Sequence, residues 1–335
     1  MPTLDQNVRS LGVAVLSALG LAASVQSQTT PSEPIRDSPQ QMVDALHSAF
    51  GTHHARAVHA KGILLTGTFA PSPEARQFTK AAVFTNGTLP VTVRFSDFTG
   101  IPDIPDTVGG ANPRGFAVKF KLPDSTSMDI VTHSFNGFPT ATTNEFGYLL
   151  RAIGASGPEA TKPNALDQFL ETHPVAKTFL TTQKPPPLSY GTLAYFGVNS
   201  FKFTNAWGEL KFVRYRFVPL AGEQFLDPAT LKSSGPNYLS EEIATRVVKG
   251  PIVFDWYAQI SAKGDAITDP SVAWPESRSL IKLGTITISG MIVDQPATDK
   301  VTIFIPNNVP AGIESADPML GIRSSAYPIS VAGRQ

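Results

Sequence analysis

Three short segments combine residue types that do chemistry with apolar neighbours that would hold them still. The first is Arg56-Ala-Val-His59-Ala-Lys-Gly62. His59 falls where a helix or loop gives way to a strand, so its imidazole could act as a general base, with Gly62 letting the backbone turn closely. The second is Val93-Arg94-Phe95-Ser96, followed by Asn112-Pro-Arg114-Gly-Phe-Ala-Val-Lys-Phe120. On a strand, Arg94 and Ser96 share one face and Phe95 takes the other. An Arg on the inner face of a barrel needs an anionic partner, either a ligand carboxylate or one of the nearby Asp97, Asp103 and Asp106. The third segment, Asp317 to Arg334, puts Arg323, Tyr327 and Arg334 within about 40° of one another around a helix. A guanidinium beside a phenol favours the phenolate, and a phenolate is a hard axial ligand for ferric haem. Each segment also has an ordinary reading. These are a satisfied core histidine, a structural ion pair, and a surface Arg–Tyr pair on a terminal helix that Pro328 and Gly333 would kink.

Composition narrows the chemistry. The chain of 335 residues has no cysteine. That excludes disulfides, thiolate zinc sites, iron–sulfur clusters, c-type haem attachment and peroxide chemistry at a reactive thiol. If haem is bound, its axial ligand is His, Met, Tyr or another non-thiolate group. Basic and acidic residues balance at 27 each, so no excess positive charge exists to condense on phosphates, and nucleic acid is not an expected partner. The abundance of Phe, Pro and Gly favours strands, turns and ordered loops over a helical bundle.

The elements that must position these residues follow from periodicity. Helical spacing of Met42, Leu46, Ala49 and Phe50 after Ser38-Pro39 predicts a helix over about 41–57. Half-buried strands are predicted at 62–69, 89–96, 115–122 and 128–131. Helical segments follow at 143–153, with Thr143 as N-cap and Gly154 as the stop, and over about 162–181. Strands resume at 191–204, 208–219, 252–260, 283–291 and 300–305, with a helix near 240–248. Many strands and few βαβ alternations give an α+β chain, an antiparallel barrel with helices packed on it. Asn86-Gly87-Thr88 is first of all a turn, and the adjacent His53 and His54 point different ways, which disfavours a shared metal.

Arg9 precedes an apolar run from Leu11 to Ala23, then small residues to Ser27. This pattern predicts a signal peptide over 1–27, a polar linker over 28–40, and one domain over 41–335, in a periplasmic or secreted protein. The run is too short to span a bilayer permanently, so no membrane association is expected.

Together and in this order, the three segments resemble the haem catalase family, most closely its short catalase-related peroxidases, from about Ala55 to Arg334. The resemblance implies a catalase-like barrel of about eight strands and bound haem b (iron protoporphyrin IX). It implies His59 as the distal acid–base residue, oriented by Ser96, and Tyr327 as the iron ligand beside Arg323. It also places Arg56, Arg94 and Arg334 on the haem propionates and Phe146 against the ring. One position departs. Where the family carries a distal asparagine after Asp129-Ile-Val131, this sequence has His133, with Asn136 three residues on, so the two are rival candidates. The chain ends soon after the tyrosine motif, so no nicotinamide cofactor is expected and a monomer or homodimer is. The implied activity is reduction of hydrogen peroxide or organic hydroperoxides by small organic donors, with weak catalase activity second. A haem-binding protein without catalysis and a hydroperoxide isomerase are the alternatives.

Overall fold

Alternation of apolar and other residues along eight segments closes a barrel in the structure, a computed structural model that describes residues 37–334. The strands are β1 (Gly62–Pro71), β2 (Leu89–Ser96), β3 (Gly115–Lys121), β4 (Ser127–His133), β5 (Tyr195–Thr204), β6 (Leu210–Pro219), β7 (Ile252–Ile260) and β8 (Leu280–Met291). Each pairs antiparallel with the next in the chain, and β8 returns to pair with β1. The expected antiparallel barrel of about eight strands is therefore present. Its weakest seam is between β4 and β5, joined only at His133 and Phe196. A short strand, β9 (Ile313–Ser315), pairs with β5 at Phe201–Phe203.

Residues of one parity on each strand fill the barrel. Phe69, Phe95, Phe116, Phe120, Tyr195, Tyr215, Phe217, Phe254 and Trp256 are buried there with aliphatic neighbours. At roughly 25 cal/mol per Å² of apolar area removed from water, this aromatic interior is the main stabilising term of the fold. Arg94, expected on an inner face, lies on the outer one, because Phe95 takes the interior position beside it. The outer face of β2–β5 is apolar enough to need covering, and helices cover it.

Nine helices lie among the described residues: α1 (Pro39–Phe50), α2 (Ala75–Phe78), α3 (Thr143–Gly154), α4 (Ala165–Thr172), α5 (Pro174–Thr181), α6 (Pro228–Ser233), α7 (Tyr238–Lys249), α8 (Gln295–Val301) and α9 (Met319–Ala332). α1 starts with Ser38 and Gln41 in a capping box and Pro39 in its first turn. It ends at Phe50, short of the expected 57, because Gly51 adopts φ +85°. The helix thus takes in the end of the expected 28–40 linker, while the leader over 1–27 lies outside the described residues. α3 is capped by Thr142 rather than Thr143. α1 packs on α3 and α9 through Met42, Val43, Leu46, Leu150 and Ala326. Among the described residues no helix is long and apolar enough to cross a membrane.

The strand expected at 300–305 does not form. Asp294 and Pro296 start α8, and the backbone beyond it bonds to side chains instead of a neighbouring strand. The Thr302 carbonyl accepts from Arg56 and Arg334, and the Ile305 N–H donates to Asp129. The expected strand start at 191 is a tight turn over Tyr190–Thr192.

Candidate active site

The helical cover does not close fully on the barrel. A cavity of about 1280 Å³, counted to its mouth, lies between the outer face of β2–β5 and helices α1, α3 and α9. Met42, Val43, Leu46, Phe146, Ile322 and Ala326 make much of its wall apolar. His59, Ser96, His133, Arg56, Arg94, Arg323, Tyr327 and Arg334 all reach it as well, so residues from three distant parts of the sequence meet here. Asn136 does not. Its Nδ2 lies 3.3 Å from Glu276 Oε1, outside the cavity wall.

Strand register builds the barrel side. Gly62, Ser96, Gly115, His133 and Phe196 are successive partners across β1–β5, which puts them in one row on one face. His59 precedes β1 with φ +56°, a left-handed conformation costly for a residue with a side chain. That backbone turns the ring over Gly115 to meet Ser96, with Nδ1 3.0 Å from Oγ. Phe98 packs edge-on against the imidazole at 5.5 Å. Burial, then the neighbouring His133 and Arg94, lower the His59 pKa to about 3, against the effect of a hydrogen bond to the Asp97 backbone. Burial and Arg323 likewise bring His133 to about 3. Both rings are therefore neutral at pH 7. The His133 Nε2 is buried and has no hydrogen-bond partner.

On the α9 side, Arg323 Nη2 donates to Tyr327 Oη at 3.2 Å, one helical turn away. Its Nη1 donates to Asn199 Oδ1 at 2.5 Å, and Asn199 Nδ2 donates to Asp317 Oδ2 at 2.7 Å. Asp317 also accepts the Met319 N–H at the start of α9. A line of hydrogen bonds thus runs from Tyr327 to the base of its own helix. Asn199 and Asp317 were not singled out for this; a polar pair in an otherwise apolar strand and helix start is the signal the sequence offered.

The third group is cationic. Arg94 pairs with none of the three aspartates near it in sequence. Asp97 pairs with Arg114 and receives the Tyr190 hydroxyl, and Asp106 pairs with Lys61 at 2.5 Å. Arg94 Nε instead donates to Asp299 Oδ1 at 2.6 Å, where Arg56 Nη2 also donates at 3.0 Å. Arg334 joins from beyond α9, donating to the Thr302 carbonyl at 3.0 Å. Three guanidinium groups meet one carboxylate here, an excess of two positive charges. Burial and the neighbouring Arg94 lower the Arg56 pKa to about 9, and burial lowers that of Arg334 to about 10. Nε of Arg56 and of Arg334 are buried without partners. Such a cluster, beside an apolar slot, fits a flat hydrophobic group with two acidic arms. The residues present therefore suit the haem implied by the sequence resemblance, with Tyr327 Oη as the oxygen donor. Among the described residues no group of three or more His, Cys, Asp or Glu side chains gathers as a metal site.

Comparison with known proteins agrees with this arrangement. The catalase family model matches residues 47–334. A catalase-related peroxidase of Mycolicibacterium paratuberculosis is 36% identical over 299 residues, covering 88% of this chain and 94% of the relative. One of Synechococcus elongatus is 31% identical over 333 residues, covering 97% and 96%. Catalase of Mus musculus is 28% identical over 82% of this chain but only 55% of its own length. A bacterial catalase structure superposes with a TM-score of 0.74 at 23% identity, covering 84% of this chain and 57% of that one. With a family match over most of its length and relatives above 30% identity, the chain belongs to the catalase family.

Proposed function

We propose that this protein is a haem b peroxidase that reduces hydrogen peroxide or organic hydroperoxides with small organic electron donors. It is an oxidoreductase acting on peroxide, as the names of its catalase-related peroxidase relatives indicate. The observation that carries the reading is the placement of His59–Ser96 and Arg323–Tyr327 around one cavity. Bound there, haem supplies the redox chemistry that accepts electrons from the donor and passes them to the peroxide.

The chain's own residues bind, orient and move protons. Arg56 and Arg334 hold the acidic arms of the cofactor through charge-assisted hydrogen bonds, with Arg94 adding positive charge. Tyr327 presents its oxygen to the iron, and Arg323 stabilises negative charge on that oxygen. Ser96 fixes the His59 ring, leaving Nε2 to take the proton from one peroxide oxygen and return it to the other as water leaves. The buried ring is neutral well below pH 7, so it starts as a base. His133 is the second polar group at the same end of the cavity, a role closed to Asn136 by its position. Phe146 and Phe138, their rings 4.8 Å apart, keep water out.

The test is the absorption spectrum of haem-loaded protein, before and after one equivalent of peroxide, with and without an aromatic donor. We expect a high-spin ferric spectrum lost in Tyr327→Phe, and peroxide loss that accelerates with donor. Rapid oxygen release without a donor would place catalase activity first. Unchanged peroxide consumption in His59→Ala would leave a haem-binding protein only. The leader-like run at Leu11–Ala23 supports export to the periplasm or medium, and a mature N-terminus at Gln28 by mass spectrometry is the expected result.

A further inference from the structure

We propose that Arg94 is a positioning residue for His59, anchored by Asp299, rather than one more holder of acidic groups; this rests on the reading of His59 as the proton-moving group. The argument begins with the shape of the His59 backbone. Its φ of +56° is a left-handed value that a residue with a Cβ adopts only when its surroundings impose it. What imposes it is on two sides. The His59 and Ala60 N–H groups donate to the carbonyls of Phe98 and Thr99, each at 2.9 Å. The His59 and Ala60 carbonyls accept from Arg94, Nη1 at 2.9 Å and Nη2 at 3.0 Å. One guanidinium thus spans two consecutive carbonyls, a geometry its rigid fork matches and an ammonium cannot.

The third side of the fork is equally committed. Nε donates to Asp299 Oδ1 at 2.6 Å, and Arg94 is almost wholly buried. Its Nε and both Nη atoms therefore bond to protein. By contrast, Arg56 and Arg334 each keep a buried Nε without a partner. The charge of the cluster is shared, but the free donors lie on Arg56 and Arg334 and the backbone clamp lies on Arg94. Asp299 sets the tilt of the fork, and α8 carries Asp299. So the position of the distal imidazole is set by a residue on β2 and a short helix more than 200 residues away in sequence. Gly62, where an added Cβ would meet the Arg94 guanidinium at 2.6–2.7 Å, lets the fork lie flat under the turn.

The experiment compares Arg94→Lys, Arg94→Gln and Asp299→Asn with the parent as haem-loaded protein. It measures haem affinity, kcat and KM for peroxide, and hydrogen exchange of the 57–61 segment with and without haem. Lys keeps the charge and loses the fork. For positioning, kcat falls about 100-fold in both Arg94 variants, as expected when a reacting group is displaced by an ångström. KM changes little, and haem affinity in the Lys variant stays within about threefold, because Arg56 and Arg334 are intact. Exchange at His59 and Ala60 rises about tenfold in the haem-free protein too, a readout independent of turnover. Asp299→Asn should show the same pattern more weakly, and it serves if the Arg94 variants fail to fold. Full kcat and unchanged exchange in Arg94→Lys would overturn the proposal. So would a loss of haem affinity matching the loss of kcat with exchange unchanged, which would make Arg94 an anion holder. Failure of the parent reading looks different: His59→Ala would then leave peroxide turnover intact whatever the exchange data show.

Discussion

Arg56 and Asp299 lie 243 residues apart in the chain and form an ion pair at 3.0 Å, with the same Asp299 oxygen also accepting from Arg94. Although burial opposes it, the two guanidinium groups hold the Asp299 carboxyl below the usual carboxylate range. Replacing it by Asn leaves three buried guanidinium groups with no anion. Removing one partner of a buried pair costs about 3–5 kcal/mol, and the partial exposure of Asp299 brings the expected loss to about 2 kcal/mol in haem-free protein. A ligand with two acidic arms supplies the missing charge. Asp299→Asn should therefore bind haem at least as tightly as the parent although its haem-free form is less stable. Urea titrations with and without haem check this, and a variant equally destabilised in both forms would show that the cluster does not face the acidic arms.

The two buried imidazoles make stability pH-dependent. His59 and His133 titrate near pH 3 when folded, below the ordinary value of 6.5. Between these limits the unfolded chain takes up protons that the folded chain refuses. Stability is thus fully present above about pH 6.5 and declines as pH falls toward 3. Each ring contributes a slope of about 1.4 kcal/mol per pH unit in that window. Urea midpoints at pH 7, 6, 5 and 4 should show the decline, and His133→Asn should remove about half of the histidine part. The same neutrality keeps His59 a base, so kcat/KM for peroxide should stay flat from pH 8 down to 5.

The barrel and most of its strands were legible because period-two alternation with large aromatic residues specifies a half-buried strand on local grounds alone. The cavity residues were legible as well, since each sits in a distinctive local segment. What local pattern could not reveal was partnership. Asp97, Asp103 and Asp106 were the obvious anions for Arg94 by sequence distance, yet α8 delivers Asp299 instead. The segment after α8 looked like a strand from its apolar residues. Its backbone groups are taken by Arg56, Arg334 and Asp129, side chains that only the folded barrel brings near. The inner placement of Arg94 failed for a related reason: alternation separates two faces and does not say which is inside until the helices are placed.

Gly115 is the close approach on which the distal geometry depends. A Cβ there would lie 2.7 Å from His59 Nδ1 and nearer still to Ser96 Oγ, so it would strike both partners of the orienting hydrogen bond. Gly115→Ala should cost about 1–3 kcal/mol of stability through overpacking. It should lower peroxide turnover about 10-fold or more, because the imidazole must leave its place. Haem affinity should change little, since the arginines and Tyr327 lie elsewhere on the wall. Parallel haem titration and stopped-flow peroxide decay separate the two effects. An alanine variant with full turnover would mean that Ser96 does not orient His59.

His133 poses the sharpest contrast between stability and activity. Its ring is 8% exposed, lines the cavity beside His59 and leaves Nε2 without a hydrogen-bond partner. A buried polar atom without a partner is unfavourable, so His133→Leu should raise stability by about 1 kcal/mol. If the ring serves the reaction by donating to or accepting from peroxide, the same substitution removes a fixed polar group where charge develops. Loss of such a group costs about 10²-fold in kcat. His133→Asn keeps a donor near that place and should recover part of the rate. The measurement is kcat for peroxide beside the urea midpoint for both variants. A stabilised, fully active Leu variant would make His133 a packing residue. A stabilised, slow Leu variant with partial recovery in Asn would mean that the unfavourable burial is retained for catalysis.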